Sequence, residues 1–311
     1  MNLLTLSKLT EEESRETLER IRWPDGARCP HCGSKVVVKL AGKSTRPGLY
    51  KCKDRDCRKQ FTVTVNTIFA DSHIPINMWL QAFFYMSSAK KGVSALQIKR
   101  QFGIAYKTAW HMCHRIRHAM AQEPMLSLLS GTVEVDETWI GGKLKNMHAR
   151  KRAIIRQTGD RKIPLVALVQ RDGGVRVKVV PNVGAYNLKP ALLENIEKSA
   201  HIMTDGYSGY IQATESFRRH TVVEHKSGEY VRHEGRGNPI AFTNTVESFF
   251  SLFKRGVNGS FHHVSKQHLQ RYSEEFAFRW NHRKDTDEER TIAALKLAPM
   301  GRLTYAAPKS K

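Results

Sequence analysis

Acidic residues in the second half of the chain stand where predicted strands could bring them together. The segment GTVEVDETWIGGK alternates valines with Glu134 and Asp136, so a strand would deliver both carboxylates to its polar side. A later predicted strand, in HIMTDGYSGY, ends at Asp205. Carboxylates gathered at one point repel one another and raise each other's pKa unless cations lie between them. The pattern therefore favours a divalent-metal site.

A third carboxylate is available on a predicted amphipathic helix, TNTVESFFSLFKRG, at residues 243–256. Beside its apolar stripe, Asn244, Glu247 and Lys254 recur at helical spacing and face one side. Glu247 could join the metal site, and Lys254 could contact a phosphate. A purely structural alternative is that Asn244 caps the helix and Glu247 is its capping-box partner.

Such a carboxylate set suits chemistry at phosphorus. Two divalent ions about 4 Å apart stabilise charge on both the attacking and the leaving oxygen. Mg²⁺, or Mn²⁺, fits because these ions prefer hard oxygen ligands and retain waters. Glu134 and Glu137 remain alternatives to Asp136 as ligands, and Asp205 before Gly206 has the alternative of a simple turn.

Four of the five cysteines form two pairs, RCPHCGSK and YKCKDRDC. Each pair can place two thiolates on one knuckle, and Gly33 stands where such a turn needs a positive φ. The spacing predicts a structural Zn²⁺; four unrelated buried thiols are the alternative. Cys113 is expected to be a core residue. The zinc ligands would be Cys29, Cys32, Cys52 and Cys57.

The charge balance indicates a polyanionic partner. Lys plus Arg exceeds Asp plus Glu by 22, while the 40% hydrophobic content is enough for a packed core. Double-stranded DNA is the leading candidate, although a basic ribosomal or membrane-surface protein could share this charge. The sequence shows no signal-peptide pattern and no apolar run of spanning length. We expect a cytoplasmic protein without a membrane partner, associated with the nucleoid when it is bound to DNA.

Residues 71–125 predict helices, with a break at Gly103 typical of a helix-turn-helix. The second helix would enter a major groove; a helical hairpin with a solvated basic side is the alternative. A basic stretch at residues 143–162 is predicted to be a mobile loop that orders on DNA. The candidate DNA-contacting residues are Lys107, His111, His114, Arg115, Arg150, Lys151, Arg152, Lys254 and Arg255.

The elements that must position the carboxylates follow the order strand, hairpin, helix, strand, helix. The hairpin is predicted at residues 172–174, where Asp-Gly-Gly separates two apolar runs. This order predicts an α/β (α+β) fold with a ribonuclease H-like core, in which a mixed sheet is flanked by helices. The predicted domains are residues 1–70, a helix and zinc ribbon; 71–125, the helix-turn-helix; 126–300, the ribonuclease H-like domain; and 301–311, a basic tail.

Several motifs together resemble the DDE-type insertion-sequence transposases of the ISXO2-like (IS1595) family. They are VEVDETWIGGK, TDGYSGY, EHKSGEYVR, the long segment from TNTVESFF to RWNHR, and the zinc ribbon before them. The resemblance covers residues 10–300 and implies a metal-dependent transposase whose first two ligands are Asp136 and Asp205, with Lys254 as the basic residue. Asn244 and Glu247 both fit the third place; the seven-residue step to Lys254 favours Glu247. His225 is a further candidate for DNA or metal contact.

The resemblance implies an enzyme that binds the terminal inverted repeats of its element, cleaves there, and joins the freed 3′-hydroxyl to target DNA. Because two DNA ends must be paired, a homodimer or higher oligomer is expected on DNA. A DNA-binding regulator that no longer cuts is one alternative. A structure-specific nuclease that hydrolyses but never joins is another.

Overall fold

The structure is a computed structural model that describes residues 2–121, 127–142, 147–158, 162–224, 231–233, 239–299, 301 and 303. The chain divides into two compact units. The first comprises Met1–Glu123 with His282–Lys311, and the second comprises Pro124–Asn281. In the part of the chain that the structure describes, no helix combines the length and the apolar character needed to cross a bilayer.

Helices predominate at the two ends of the chain, and most of the longer strands lie between them. The helices are α1 (Leu3–Lys8), α2 (Glu11–Arg22), α3 (Ile76–Ser88), α4 (Ala95–Phe102), α5 (Tyr106–Met120), α6 (Ala149–Thr158), α7 (Ala185–Leu193), α8 (Gly209–Thr214), α9 (Asn244–Gly256), α10 (Lys266–Asn281) and α11 (Asp287–Lys296). The strands are β1 (Val37–Lys39), β2 (Tyr50–Cys52), β3 (Gln60–Phe61), β4 (Thr132–Ile140), β5 (Ile163–Gln170), β6 (Val175–Val179), β7 (His201–Asp205), β8 (Arg219–Val223), β9 (Arg232–His233) and β10 (Pro239–Ala241). A π-helical turn, Val257–Phe261, continues α9.

The amino-terminal part of the first unit is a small antiparallel sheet, β1-β2-β3, with α2 ahead of it. Thr10 and Glu13 form a reciprocal capping box at the start of α2. Trp23, Tyr50 and Phe61 pack against one another with ring centroids 5.5 to 5.9 Å apart. This aromatic cluster supplies the apolar support that three very short strands lack.

The rest of the first unit is helical. The predicted helix pair is present as α4 and α5, and Gly103 ends α4 in the left-handed region at φ 65°. Cys113 is buried in α5, as expected of a core residue. Helix α11 packs on α3, and Arg290 of α11 donates to the carbonyl of Ser87 at 3.3 Å. These contacts group α11 with the first unit, although the predicted ribonuclease H-like domain extended to residue 300.

The second unit is built on a five-stranded sheet of order β6-β5-β4-β7-β8. Strands β6, β5 and β4 pair antiparallel, whereas β4, β7 and β8 pair parallel. The β5–β6 hairpin turns at the predicted Asp-Gly-Gly, with Asp172 at φ 59°. Helices α9 and α10 cover one face, and α7 and α8 cover the other. The predicted fold class is therefore confirmed, with a mixed sheet between two helical layers.

Several elements differ from the predictions. The segment NLKPALLENIEKSA predicts a helix over residues 187–200. Helix α7 instead ends at Leu193, because the Asn195 side chain donates to the Ala191 carbonyl at 2.7 Å and Ile196 bridges to Leu129. Helix α8, strand β8 and the β9–β10 hairpin were not predicted. The prediction of a mobile loop at residues 143–162 is wrong for the middle of that segment, where helix α6 forms.

Candidate active site

The four paired cysteines converge on one point of the ribbon. Their Sγ atoms all lie within 4.8 Å of one another. The Cys29–Cys57 and Cys32–Cys52 sulfur pairs are 3.7 and 3.6 Å apart. Four thiolates at about 2.3 Å from a tetrahedral Zn²⁺ would be separated by about 3.8 Å. Gly33 takes the predicted positive φ, 77°. The thiolate set thus fits a structural Zn²⁺ without rearrangement.

Strand register brings the first two predicted carboxylates side by side. β4 pairs in parallel with β7, and Glu134 stands opposite Met203. Two residues further along both strands, Asp136 on β4 is level with Asp205 at the end of β7. Side chains alternate between the faces of a strand, so Glu134 and Asp136 share a face. That face is the one covered by α9, since Val133 and Val135 belong to the core on the α7 and α8 side.

Helix α9 presents the third carboxylate above this face. Val246, Phe249 and Phe253 are buried against the sheet and α10, whereas Glu247 and Lys254 are exposed. Asp136 and Glu247 line a common cavity of about 590 Å³. The remaining lining residues are Phe250, Ser251, Lys254, Arg255, Asn258 and Gly259.

The electrostatics of the cavity follow from the gathered carboxylates. Burial, together with the negative charges of Glu137, Asp205 and Glu247, raises the pKa of Asp136 to about 7. Among the described residues, the carboxylate oxygens of Asp136, Asp205 and Glu247 do not all come within 4.8 Å of one another. The site is thus more open than the thiolate cluster. Its oxygen donors and clustered negative charge fit a hard divalent cation such as Mg²⁺ or Mn²⁺.

The other two acidic residues of β4 are occupied by protein donors. Glu137 accepts a hydrogen bond from the Tyr210 hydroxyl on the α8 side of the sheet. Burial raises the pKa of Glu137, and the Tyr210 bond opposes that rise. Glu134 is fully buried and accepts bonds from Arg171 and from the start of α9. Asp136 is therefore the β4 carboxylate best placed to bind a cation in the cavity.

The proposed capping box of Asn244 and Glu247 is absent. Helix α9 begins at Asn244, its N-cap residue is Thr243, and the cap makes no side-chain hydrogen bond. The first-turn N–H groups of Thr245 and Val246 instead donate to Glu134 at 2.8 and 3.1 Å. The side chain of Glu247 is thus not used for capping. Asn244 is exposed and does not line the cavity, so its predicted ligand role stays a prediction.

Two residues predicted to contact DNA from α5 lie inside the first unit. His114 is 1% exposed and Arg115 is 4% exposed. Arg115 donates to the Ala70 carbonyl at 2.6 Å and stacks over Trp79 at 5.6 Å. These two predictions are corrected, because α5 packs against α3 and α11 and both side chains are buried. We no longer expect His114 or Arg115 to contact DNA.

The other predicted DNA contacts are distributed as follows. Lys107 is exposed in the first turn of α5, while His111 is half-buried and donates to the Leu303 carbonyl at 3.2 Å. Arg150 is exposed and Arg152 is half-buried in α6. Lys254 and Arg255 line the carboxylate cavity. The Lys151 side chain, His225 and the tail beyond residue 303 lie outside the described part of the chain.

Four residues that line the cavity were not predicted as site residues: Phe250, Ser251, Asn258 and Gly259. Ser251 and Asn258 follow Glu247 by four and eleven residues, which is the helical spacing that also selects Lys254. Extending that spacing through the end of the predicted helix would have found Asn258. The π-helical turn that places Gly259 leaves no signal in the residue pattern.

Comparisons with known proteins agree with this arrangement. The family model for the ISXO2-like transposase domain matches residues 128–281, nearly the whole second unit. The model for the transposase zinc-ribbon domain matches residues 9–60. The chain is 28% identical over 284 residues to an uncharacterised protein in transposable element ISH50 of Halobacterium salinarum, covering 87% of this chain and 91% of that protein. No solved structure shows significant similarity to the chain.

Proposed function

Since the chain belongs to the ISXO2-like insertion-sequence transposases, with a transposase zinc ribbon ahead of the catalytic domain, we propose that it cleaves the ends of its own element and joins them to target DNA. The observation that carries the proposal is the cavity shared by Asp136, Glu247, Lys254 and Arg255. Its lining thus combines acidic and basic side chains. A phosphodiester needs both, because its charge must be bound while its reacting oxygens are activated.

Each residue has a distinct part in the proposal. Asp136, Asp205 and Glu247 would hold divalent ions, Mg²⁺ or Mn²⁺, which supply charge stabilisation at phosphorus and a water of lowered pKa. Lys254 and Arg255 stand about two turns along α9 from Glu247. They would bind the phosphates that flank the scissile bond and orient the strand for in-line attack.

One site can serve both proposed steps. In cleavage, a water oxygen attacks phosphorus and the 3′-oxygen of the element end leaves. In strand transfer, that freed 3′-hydroxyl attacks a target phosphate and a target 3′-oxygen leaves. Both are in-line displacements at phosphorus and differ only in the nucleophile, so the same residues can bind both phosphates.

Recognition of the terminal inverted repeats is assigned to the first unit. Its ribbon carries exposed basic residues that suit phosphate contacts, including Lys53, Arg55 and Arg58. Lys107, exposed at the start of α5, is the contact that we retain for the helix pair. Pairing of two element ends requires at least two protomers on DNA.

The proposal is tested with purified zinc-containing protein, a labelled duplex bearing the DNA that flanks the gene, and a supercoiled target plasmid. Label should join the plasmid with Mg²⁺ and not with chelator. Asp205→Asn should abolish cleavage and joining while leaving end binding intact, because it removes one carboxylate charge at constant size. Asp172→Asn is the matched control: it lies exposed at the hairpin turn and should retain activity.

Other results would select the alternatives. Binding without cutting or joining, at full zinc content, would identify a DNA-binding regulator. Cleavage without joining would identify a nuclease. Cleavage that survives Asp205→Asn would contradict the site assignment.

A further inference from the structure

Glu134 is a buried carboxylate that the proposed reaction does not use. It lies two residues before Asp136 on β4, and its side chain is completely inaccessible to solvent. Its oxygens accept four bonds: the Thr245 and Val246 N–H groups at 2.8 and 3.1 Å, the Thr245 hydroxyl at 2.9 Å, and Arg171 Nε at 3.0 Å. A buried carboxylate with this many donors is held in one position.

Three of those bonds come from the first turn of α9. This helix has no capping side chain of its own, so its first N–H groups need an acceptor from elsewhere. A carboxylate at that place satisfies them and interacts favourably with the helix dipole. Glu134 therefore fixes where α9 begins relative to β4. Glu247 follows Val246 directly, so its backbone position is set by the same bonds.

Arg171, which follows β5, extends this connection to the third element of the site. It donates to Glu134 on β4, to Met203 Sδ on β7 at 2.9 Å, and to the Phe242 carbonyl before α9 at 3.1 Å. Its guanidinium also stacks on the Phe242 ring, 3.5 Å from the centroid. Met203 lies two residues before Asp205, as Glu134 lies two residues before Asp136. One side chain thus contacts β4, β7 and the segment that leads into α9. These parts of the chain position the proposed ligands.

We propose that Glu134 and Arg171 form a positioning pair that sets Glu247 at the correct distance from Asp136 and Asp205. The inference rests on the proposed function for these three carboxylates and extends it to residues that touch neither ion nor DNA. The pair acts through geometry: it holds the start of α9 against β4 and β7. Loss of either partner would let the first turn of α9 shift, and Glu247 would shift with it.

The chain offers a matched control for this pair. Glu275 and Arg279 of α10 form another buried ion pair in the same unit, with Glu275 also inaccessible to solvent. That pair spans one turn of a single helix, α10, whereas the three proposed ligands lie on β4, β7 and α9. Glu275→Gln should therefore lower stability as Glu134→Gln does, without altering the carboxylate site.

The experiment uses full-length, zinc-containing protein and Mn²⁺ as the probe. Mn²⁺ affinity is measured from the electron paramagnetic resonance of the free ion, and binding that persists in Asp136→Asn is subtracted. Glu134→Gln should weaken the Asp136-dependent affinity about 10- to 100-fold. Thr245→Val, which removes one hydroxyl bond and keeps both N–H donors, should weaken it about two- to tenfold. Glu275→Gln should leave it at the wild-type value.

Amide hydrogen exchange supplies a second readout that does not depend on metal or activity. Glu134→Gln should accelerate exchange at Thr245 and Val246, whereas Glu275→Gln should not. Unchanged exchange at these amides, or wild-type Mn²⁺ affinity despite faster exchange, would overturn the inference. If Glu134→Gln fails to fold, the same two measurements on Thr245→Val decide whether the inference holds. If wild-type protein shows no Asp136-dependent Mn²⁺ binding, the proposed function fails. Amide hydrogen exchange then tests separately whether Glu134 caps α9.

Discussion

The two candidate metal sites of this chain are assembled in opposite ways. The zinc ligands come from two short knuckles within 29 residues, and their sulfurs all lie within 4.8 Å of one another. The carboxylates come from β4, β7 and α9, spread over 112 residues, and are not all within 4.8 Å of one another. Metal binding at the first site is part of the folding of the ribbon. The second site lies on a sheet and helices that fold without the metal. Removal of metal or of a ligand should therefore have opposite effects on stability at the two sites.

The largest expected effect is at the ribbon. Cys52→Ser should abolish zinc binding and unfold residues 23–61, because this region has only short strands and a small aromatic core besides the ion. Structural zinc contributes on the order of 10 kcal/mol in small zinc domains. Zinc content by colorimetric release, together with limited proteolysis, would measure both effects.

Cys113→Ser is the matched control, since Cys113 is buried in α5 outside the cluster. It should retain one zinc and an intact ribbon. A ribbon that resists protease equally in Cys52→Ser would show that zinc is not what holds it together.

The carboxylate site should show the reverse behaviour. Without metal, Asp136→Asn should stabilise the protein, because it removes a buried negative charge from beside Glu137, Asp205 and Glu247. The gain should be on the order of 2 kcal/mol. Thermal unfolding in chelator, with zinc retained in the ribbon, would measure it.

The pH dependence of this gain follows from the sign of the shift. The folded-state pKa of Asp136 is about 7, above the ordinary value of 3.8. The wild type therefore loses stability as pH rises from 3.8 to 7, and the loss is constant above 7. The advantage of Asp136→Asn should be absent below pH 3.8 and complete above pH 7. An advantage that is the same at every pH would contradict the electrostatic cause.

The smallest effect concerns the basic side of the cavity. Lys254→Ala should weaken DNA binding modestly and reduce the slope of log affinity against log salt by about 1, as expected for one phosphate contact. Filter binding at several salt concentrations would give both values. Lys198→Ala is the control, since Lys198 is exposed between α7 and β7 and does not line the cavity. Equal slopes in the two variants would show that Lys254 does not contact a DNA phosphate.

The predictions from sequence succeeded where the determining residues are close in the chain. The thiolate pairs and the hairpin at Asp172 each depend on a few neighbouring residues, and each is present. The alternation of valines with Glu134 and Asp136 was also sufficient to define a strand with one acidic face. Local spacing determines such features because the interacting groups are adjacent whatever the rest of the chain does.

The predictions failed where packing against distant parts of the chain determines the environment of a residue. Arg115 has the sequence context of a surface residue on a basic helix, yet it is buried against Ala70 and Trp79, more than 30 residues earlier in the chain. Glu134 was an alternative metal ligand until the structure placed it under the start of α9. The residue pattern of β4 cannot distinguish Glu134 from Asp136, because both point to the same face of the same strand.

The sequence by itself determined the family, the zinc ligands, the class of fold and the set of acidic residues from which a site could be built. Only the tertiary structure assigned those acidic residues to separate tasks: Asp136 to the cavity, Glu137 to Tyr210, and Glu134 to the first turn of α9. The physical reason is that a carboxylate's role depends on its donors. For Glu137 and Glu134 the donors come from α8, α9 and Arg171, none of which is near β4 in the chain.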